Sequence, residues 1–299
     1  MQAFLQQIVN GLTIGSVYAL VALGYTMVFG VLKIVNFAHG ELFMLGAYLG
    51  FTAAVTWTEV ARTATGLILF TLGASLVVAV VGLLVERVAY RPLRRSSRLA
   101  TVVSALGVSI FLQNAVMLLY GPNYQVYPEG LVSDRAWQVF GVEITLMRAA
   151  ILATSLALMA GLYFFVMRTR LGMATRAAAI DQDTARLMGI DVDAIIRLIF
   201  FLGPLLGAVA GILVGLFYRQ INFTMGWTYG MKAFTAAILG GIGNIPGAMV
   251  GGLLLGILET LGAGYVSAAW KDALAFFILI GILILRPTGL LGERVAEKV

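Results

Sequence analysis

Four side chains capable of polar chemistry lie close together in the otherwise apolar stretch VLKIVNFAHGELFM, residues 31–44. They are Lys33, Asn36, Glu41 and His39, the chain's single histidine. An amide, an imidazole and a carboxylate at this spacing can line a path for a polar or charged ligand. One histidine cannot build a metal site, and packing or capping is a simpler role for His39 than a proton relay.

A second polar break, GGIGNIPGA, occupies residues 240–248 and contains Asn244, Pro246 and Gly247. Asparagine is a common helix cap, and proline is favoured in the first helical turn, so both breaks predict helix starts, after Asn36 and after Asn244. Helices that start inside a membrane would direct free N–H groups and partial positive charge toward a carboxylate. In the other interpretation, both breaks are tight turns at the cytoplasmic surface.

The composition shows why a polar break is unusual in this chain. Of its 299 residues, 61% are hydrophobic and only 11% are charged, whereas soluble domains carry about 25% charged residues. One soluble core cannot bury such an apolar excess. We therefore predict an all-α polytopic membrane protein, a single domain over residues 1–299, with eight or nine transmembrane or partial spans and two interrupted segments.

The apolar segments are long enough for helical crossings, each of which needs about 20 residues. They lie at 5–30, 42–57, 66–85, 99–120, 145–167, 194–218, 248–258 with its flanks, and 273–285. No positively charged start precedes the first segment, and no cleavage site follows it, so we expect it to remain in the mature protein. Two ionisable residues near apolar spans, Lys232 and Glu259, either line the path or are paired or solvated.

Charge in the loops predicts the orientation. Residues 91–98 contain four arginines and no acid, whereas residues 121–144 contain three acids and one arginine. Basic loops favour the cytoplasmic side, so we expect 91–98, 168–193 and the C-terminus inside a bacterial inner membrane, and we favour the N-terminus outside. The net charge of +6 follows from these loops, and we expect no nucleic-acid partner.

Chemistry beyond transport has little support. No cysteine is present. The sequence also contains no metalloprotease motif, no serine-hydrolase motif and no nucleotide-binding motif. We expect no enzyme activity and no bound cofactor or metal on this chain, so that any ATP-driven motion requires an ATPase on another chain.

The chain also carries signs of an internal duplication, over about 1–98 and 200–299. Residues 11–18 and 211–218 share the pattern G-x-x-x-G-x-x-Y, and a polar glycine break and an Arg-Pro pair follow in each half. Transporters are often built from two related halves, and interrupted segments then indicate the substrate path.

The polar segment 168–193 predicts a short surface helix over 173–190 between two spans. Gly189 followed by Ile190 is typical of a Schellman ending, and Asp191 or Asp193 can cap the next span. The segment is either an ordinary interfacial helix or a docking element for a cytoplasmic partner. Its candidate docking residues are Arg176, Asp181, Asp183, Ala185, Arg186, Gly189 and Ile190.

DTARLMG (183–189) resembles the E-A-A-x-x-x-G signature of ABC importer permeases, with Asp183 replacing Glu and Thr184 replacing Ala. The downstream I-x-L-P is only approximated by residues 199–204. Residues 10–48, 221–259 and 271–292 are similar to the LivH-type permeases of branched-chain amino acid ABC transporters. These long stretches extend over most of the chain and are far more specific than the short signature.

The resemblance implies an importer of several chains. A LivM-like second permease, two LivG/LivF-like ATPases that bind ATP–Mg, and a periplasmic amino-acid-binding protein would accompany this subunit in the lipid membrane. The segment ending at Gly189 would dock in an ATPase cleft. The implied function is transport of leucine, isoleucine and valine.

Three alternatives remain open. A permease of the same group could carry urea, short amides or other amino acids instead. A stand-alone channel or secondary transporter would leave the 168–193 segment without a function. An intramembrane enzyme lacks the catalytic residues that it would need.

Overall fold

The structure is a computed structural model that describes residues 2–94, 96–139 and 141–292, and only the backbone of Arg98. Arg95 of the basic loop 91–98 and the C-terminal residues 293–299, both predicted to be cytoplasmic, lie outside the described residues. The helices are α1 (Gln2–Leu32), α2 (His39–Thr56), α3 (Thr58–Ala61), α4 (Ala64–Val85), α5 (Arg98–Tyr120), α6 (Leu146–Arg168), α7 (Arg170–Ile180), α8 (Gln182–Leu187), α9 (Val192–Tyr218), α10 (Met225–Gly240), α11 (Ile245–Tyr265) and α12 (Lys271–Leu285).

Short elements connect these helices. A π-helical turn (Glu86–Tyr90) and a 3-10 turn (Arg91–Leu93) follow α4, and a second 3-10 turn (Ala268–Trp270) precedes α12. Strands β2 (Ala136–Val139) and β3 (Val142–Thr145) form an antiparallel hairpin, and β1 (Gln125–Val126) pairs antiparallel with β4 (Gln220–Ile221).

The all-α polytopic prediction is confirmed. Within the described residues, seven helical segments are long and apolar enough to cross a membrane, and α2, with 18 residues, and α10, with 16, are not among them. Each apolar segment predicted from the sequence overlaps one helix. Helix α10 adds to the predicted segments, because it lies between residues 218 and 248, where the sequence predicts no span.

Helix α1 lies at the centre of the bundle, and α4, α5, α6 and α12 lie at its periphery with much of their apolar surface exposed. Small residues allow α1 to approach α11 closely. A Cβ placed on Gly15 would lie 2.8 Å from the carbonyl oxygen of Gly252. The apolar exposed helices are suited to contact lipid or another membrane helix.

The bundle has two ends. The start of α1 is held at the β2–β3 hairpin, where Gln6 Nε2 donates to the carbonyl of Glu143 at 3.1 Å. The end of α1 reaches α8, because Gln182 Nε2 donates to the carbonyl of Val31 at 2.7 Å. We call these the hairpin end and the α8 end. Helix α9 begins just after α8 and ends at β4, so it runs antiparallel to α1.

Candidate functional site

The break between α1 and α2 is the first polar feature inside the bundle. Helix α1 ends where Lys33 adopts a left-handed backbone with φ of 54°. Asn36 is buried, and its Oδ1 accepts hydrogen bonds from Ala38 N at 3.1 Å and from the Tyr90 hydroxyl at 2.7 Å. The prediction that Asn36 caps α2 is wrong by two residues, since Ala38 takes the cap position and makes no side-chain bond there.

The surroundings of His39 show where α2 begins relative to the surface of the helix bundle. Its fully buried ring lies edge-on to Tyr25, with ring centroids 4.9 Å apart, in a slot that a Cβ on Gly24 would close. Gly24 precedes the end of α1 by eight residues, or about 12 Å along a helix. Helix α2 therefore starts within the bundle, not at its surface. Packing is the role that this environment supports for His39.

Glu41 is the charged group of this break. Its side chain is 1% exposed, and Oε1 accepts a 3.2 Å hydrogen bond from Ser109 of α5. The other oxygen, Oε2, has no hydrogen-bond partner among the described residues and lies where a Cβ on Gly226 of α10 would be. A buried carboxylate that lacks a partner is costly in free energy, so this oxygen is a candidate to bind a polar or cationic group.

The second predicted break is a helix cap at the α8 end. Asn244 caps α11 and its Oδ1 accepts from Gly247 N at 2.8 Å, with Pro246 in the first turn as predicted. Its Nδ2 donates to the carbonyl of Leu291 at 2.9 Å, which fixes the segment after α12. Gly243 packs near Gly30 in the last turn of α1. Within the described chain, no hydrogen bond or ion pair joins Asn244 to Asn36 or Glu41.

Lys232 and Glu259 form an ion cluster with residues of α12. Lys232 Nζ lies 2.6 Å from Glu259 Oε1 and 2.6 Å from Asp272 Oδ1, and Lys271 Nζ lies 3.5 Å from the same Glu259 oxygen. Of the two interpretations of Lys232 and Glu259, the structure shows the paired one. Sequence spacing gave no signal for this cluster, because its members lie on three helices.

The 168–193 segment folds into two helices, so the prediction of one helix is wrong. Asp181 separates them because its side chain caps α8, accepting from the backbone N–H groups of Asp183 at 2.9 Å and Thr184 at 3.1 Å. An aspartate gains more from this bond than from a place inside a helix.

The predicted Schellman ending of the segment is confirmed. Gly189 has a φ of 82°, Ile190 N donates to Ala185 O at 3.1 Å, and Gly189 N donates to Arg186 O at 3.0 Å. Asp191 then caps α9 through Ala194 N at 2.9 Å. The turn from α8 into α9 is therefore fixed by backbone hydrogen bonds.

The same segment presents an apolar surface that the sequence prediction missed. Ile180, Leu187 and Met188 are 87%, 88% and 79% exposed. Beside them lies a concavity of about 360 Å³, lined by Ala177, Ile180, Asp181, Thr184, Ala185, Met188 and Ile190. Exposed apolar groups rimmed by charges mark protein interaction sites. Arg176 is exposed on α7, and Arg186 is exposed and paired with Asp183 at 3.0 Å.

The comparisons with known proteins agree with this architecture. Residues 7–283 match the family model described as branched-chain amino acid transport system / permease component. The chain is 45% identical over 303 residues to the high-affinity branched-chain amino acid transport system permease protein LivH of Salmonella typhimurium, with 99% of this chain and 98% of the relative covered.

The chain is also similar to a second relative in sequence and to a solved structure in fold. The permease protein BraD of Pseudomonas aeruginosa is 46% identical over 301 residues, covering 99% of this chain and 98% of the relative. Among solved structures, a metal-chelate type ABC transporter in an inward-facing conformation shares the fold, with a TM-score of 0.53, 18% identity, and coverage of 94% of this chain and 85% of the other. The chain belongs to the family of branched-chain amino acid transport system permeases.

Proposed function

We propose that the chain is the inner-membrane permease subunit that moves leucine, isoleucine and valine through an ATP-driven importer. The observation that carries this proposal is the break between α1 and α2, where the free oxygen of Glu41 lies inside the bundle beside a helix start. A carboxylate can bind the ammonium group of an amino acid, and helix N-terminal N–H groups can bind its carboxylate.

The path residues of the proposal are Asn36, His39 and Glu41, and the cap at Asn244, Pro246 and Gly247 closes the bundle at the α8 end. Glu41 binds the substrate. Asn36 and His39 hold the start of α2 in place, through hydrogen bonding and packing respectively. Asn244 acts indirectly, because it fixes α11 and the segment after α12.

The proposed partners follow from the resemblance to LivH-type permeases and from the α8 surface. Two LivG/LivF-like ATPases, which hold ATP–Mg, would dock on Arg176, Asp181, Asp183, Ala185, Arg186, Gly189 and Ile190 together with Ile180, Leu187 and Met188. A LivM-like permease would lie beside this chain in the lipid, and a periplasmic binding protein would deliver substrate at the hairpin end. In the proposed assembly, 91–98, 168–193 and the C-terminus lie in the cytoplasm. The exposed apolar groups on α8 favour this assembly over a stand-alone channel.

Competition uptake on the complete complex tests the function. Reconstituted transporter with its binding protein and ATP would take up labelled leucine, and unlabelled isoleucine and valine would compete, whereas urea and a short amide would not. Strong competition by urea or the amide, without competition by isoleucine, would assign the chain to the same family with a different substrate. Uptake by this chain alone would support the channel interpretation.

A further inference from the structure

The chain folds the same irregular turn twice. Within the described residues, Lys33 and Arg219 are the two non-glycine positions with left-handed backbone, at φ of 54° and 57°. Each ends a long central helix, α1 and α9, and each is followed at equal spacing by Asn-Phe and then by a glycine, Gly40 or Gly226. A left-handed side-chain-bearing residue is uncommon, so its recurrence in one sequence pattern indicates a shared architecture.

The hydrogen bonds of the two turns also match. His39 N donates to Asn36 O at 3.0 Å, and Met225 N donates to Asn222 O at 3.2 Å. Each asparagine Oδ1 accepts from the residue two positions further on, from Ala38 N at 3.1 Å and from Thr224 Oγ1 at 3.2 Å. A new helix, α2 or α10, starts directly after each turn.

The equivalent glycines of the two turns meet in space. The carbonyl group of Gly226 lies where a Cβ on Gly40 would be. Contact between equivalent residues is what a two-fold axis produces, and the antiparallel course of α1 and α9 makes the two units inverted. In transporters built in this way, substrate sites lie where the repeats meet. This register pairs 33–40 with 219–226, and not with the cap at 243–247.

The second turn opens onto a cavity at the hairpin end. Its volume is about 230 Å³, and its lining residues include Asn222, Gln220, Tyr124, Tyr218 and Tyr229. The Tyr229 ring also stacks on Phe43 of α2, with centroids 5.0 Å apart. Glu41, two residues before Phe43 on that helix, lies against Gly226, which is three residues before Tyr229 on α10. Tyr229 therefore both lines the cavity and lies within one helical turn of the contact between Gly226 and Glu41.

We propose that this outer cavity is a second binding site, for a small zwitterionic amino acid with an apolar side chain, and that the Tyr229–Phe43 stack separates it from Glu41. The inference rests on the proposed function. The amides of Asn222 and Gln220 bind the charged groups of the substrate, and the tyrosine rings pack on its side chain. The position equivalent to Glu41 in the second unit is Trp227, so the inner site carries a carboxylate and the outer one does not.

Uptake by substituted complexes tests the outer site. Asn222→Ala, in the full complex, would lower leucine uptake about fivefold, the effect of one lost hydrogen bond of ordinary strength. The matched control is Asn114→Ala, because Asn114 lies on the exposed face of α5 and its Nδ2 bonds to the Ile110 carbonyl of its own helix at 2.8 Å. Wild-type uptake by Asn222→Ala, in a complex that does transport leucine, would overturn the outer site and leave the proposed function standing.

Thiol labelling gives a readout that does not depend on activity. The chain has no cysteine, so Asn222→Cys supplies a single target for a membrane-impermeant thiol reagent added outside. We expect labelling of Asn222→Cys in the complex, slowed severalfold when leucine-loaded binding protein is present. A residue that is unreactive from outside, or equally reactive with and without leucine-loaded binding protein, contradicts the proposal. Failure of the wild-type complex to transport any branched-chain amino acid would instead count against the proposed function.

Discussion

The hydroxyl group of Tyr90 donates a 2.7 Å hydrogen bond to Oδ1 of Asn36, which joins the π-helical turn after α4 to the start of α2. Glu86, the first residue of that turn, pairs with Arg94, and Arg94 Nη1 lies 2.7 Å from Asp193 Oδ1 in the first turn of α9. Helix α9 directly follows the α8 segment. These polar contacts, together with the backbone of the π-helical turn and of the start of α9, connect the proposed docking segment to the proposed path.

Tyr90→Phe tests this connection. The substitution keeps the ring, which packs on Phe200, but removes the hydrogen bond to buried Asn36, and we expect a loss of about 1 kcal/mol in stability. Uptake by the complex would fall further than ATP hydrolysis does. Tyr163→Phe on the exposed part of α6 is the control and would change neither. Equal uptake by Tyr90→Phe and wild type would show that the bond carries no coupling.

The ion cluster at Lys232 predicts a large loss of stability. Lys232→Ala would leave Glu259 buried without its 2.6 Å ion-pair partner, at a cost of about 3–5 kcal/mol. The double variant Lys232→Met with Glu259→Leu would recover most of this loss, since no buried charge remains unpaired. Thermal unfolding in detergent measures both. A double variant as unstable as the single one would argue against charge pairing as the cause.

Gly189 predicts a sharp difference between two substitutions. Valine at a φ of 82° would cost about 1–2 kcal/mol and would alter the turn between α8 and α9, whereas asparagine tolerates left-handed backbone. We expect Gly189→Val to insert in the membrane but to lose co-purification with the ATPases, and Gly189→Asn to retain it. Loss of ATPase co-purification in both variants would mean that the left-handed backbone at Gly189 does not explain the loss.

The exposed apolar residues of α8 make a separate prediction. Leu187→Glu places a charge on a side chain that is 88% exposed, so the permease should fold normally. Because a desolvated charge at an interface is unfavourable, ATPase binding would fall at least tenfold. Trp137→Glu, which alters an exposed apolar residue of the β2–β3 hairpin at the other end, is the matched control. Unchanged ATPase binding by Leu187→Glu would exclude this surface as the docking site.

Apolar segments were sufficient to predict the long membrane helices but not the shorter α10, and local cap signals were sufficient at Asn244, Gly189 and Asp191. The sequence could not show how deep inside the bundle a helix begins. Whether α2 starts inside or outside the bundle depends on the slot beside Gly24 and Gly203, which are far from His39 in sequence. The partners of Lys232 depend on packing in the same way. The split of α7 from α8 had a local signal, because Asp181 precedes two residues whose N–H groups it can cap.

The second turn, at Asn222, could also have been predicted from the sequence. The pattern Asn-Phe-x-x-Gly occurs at 36–40 and again at 222–226. The predicted duplication rests instead on the glycine and tyrosine pattern of α1 and α9, which pairs 36–40 with 243–247. The left-handed backbone at Lys33 and Arg219, which aligns the two turns, is visible only in the structure.

Substitution of Glu41 tests the central claim, that a free carboxylate oxygen inside the bundle binds the substrate. Glu41→Gln keeps the shape of the side chain and an oxygen that can accept from Ser109, but it removes the charge. The control is Glu59→Gln, because Glu59 is exposed and pairs only with nearby Arg62 in the described structure.

The deciding measurement is ATP-driven uptake of labelled leucine by the reconstituted complex with its binding protein. We expect Glu41→Gln to assemble with its partners but to take up leucine at least tenfold more slowly, since a charged hydrogen bond contributes about 1.5–3 kcal/mol. Glu59→Gln should match the wild type. Leucine uptake by an assembled Glu41→Gln complex at the wild-type rate would contradict the central claim.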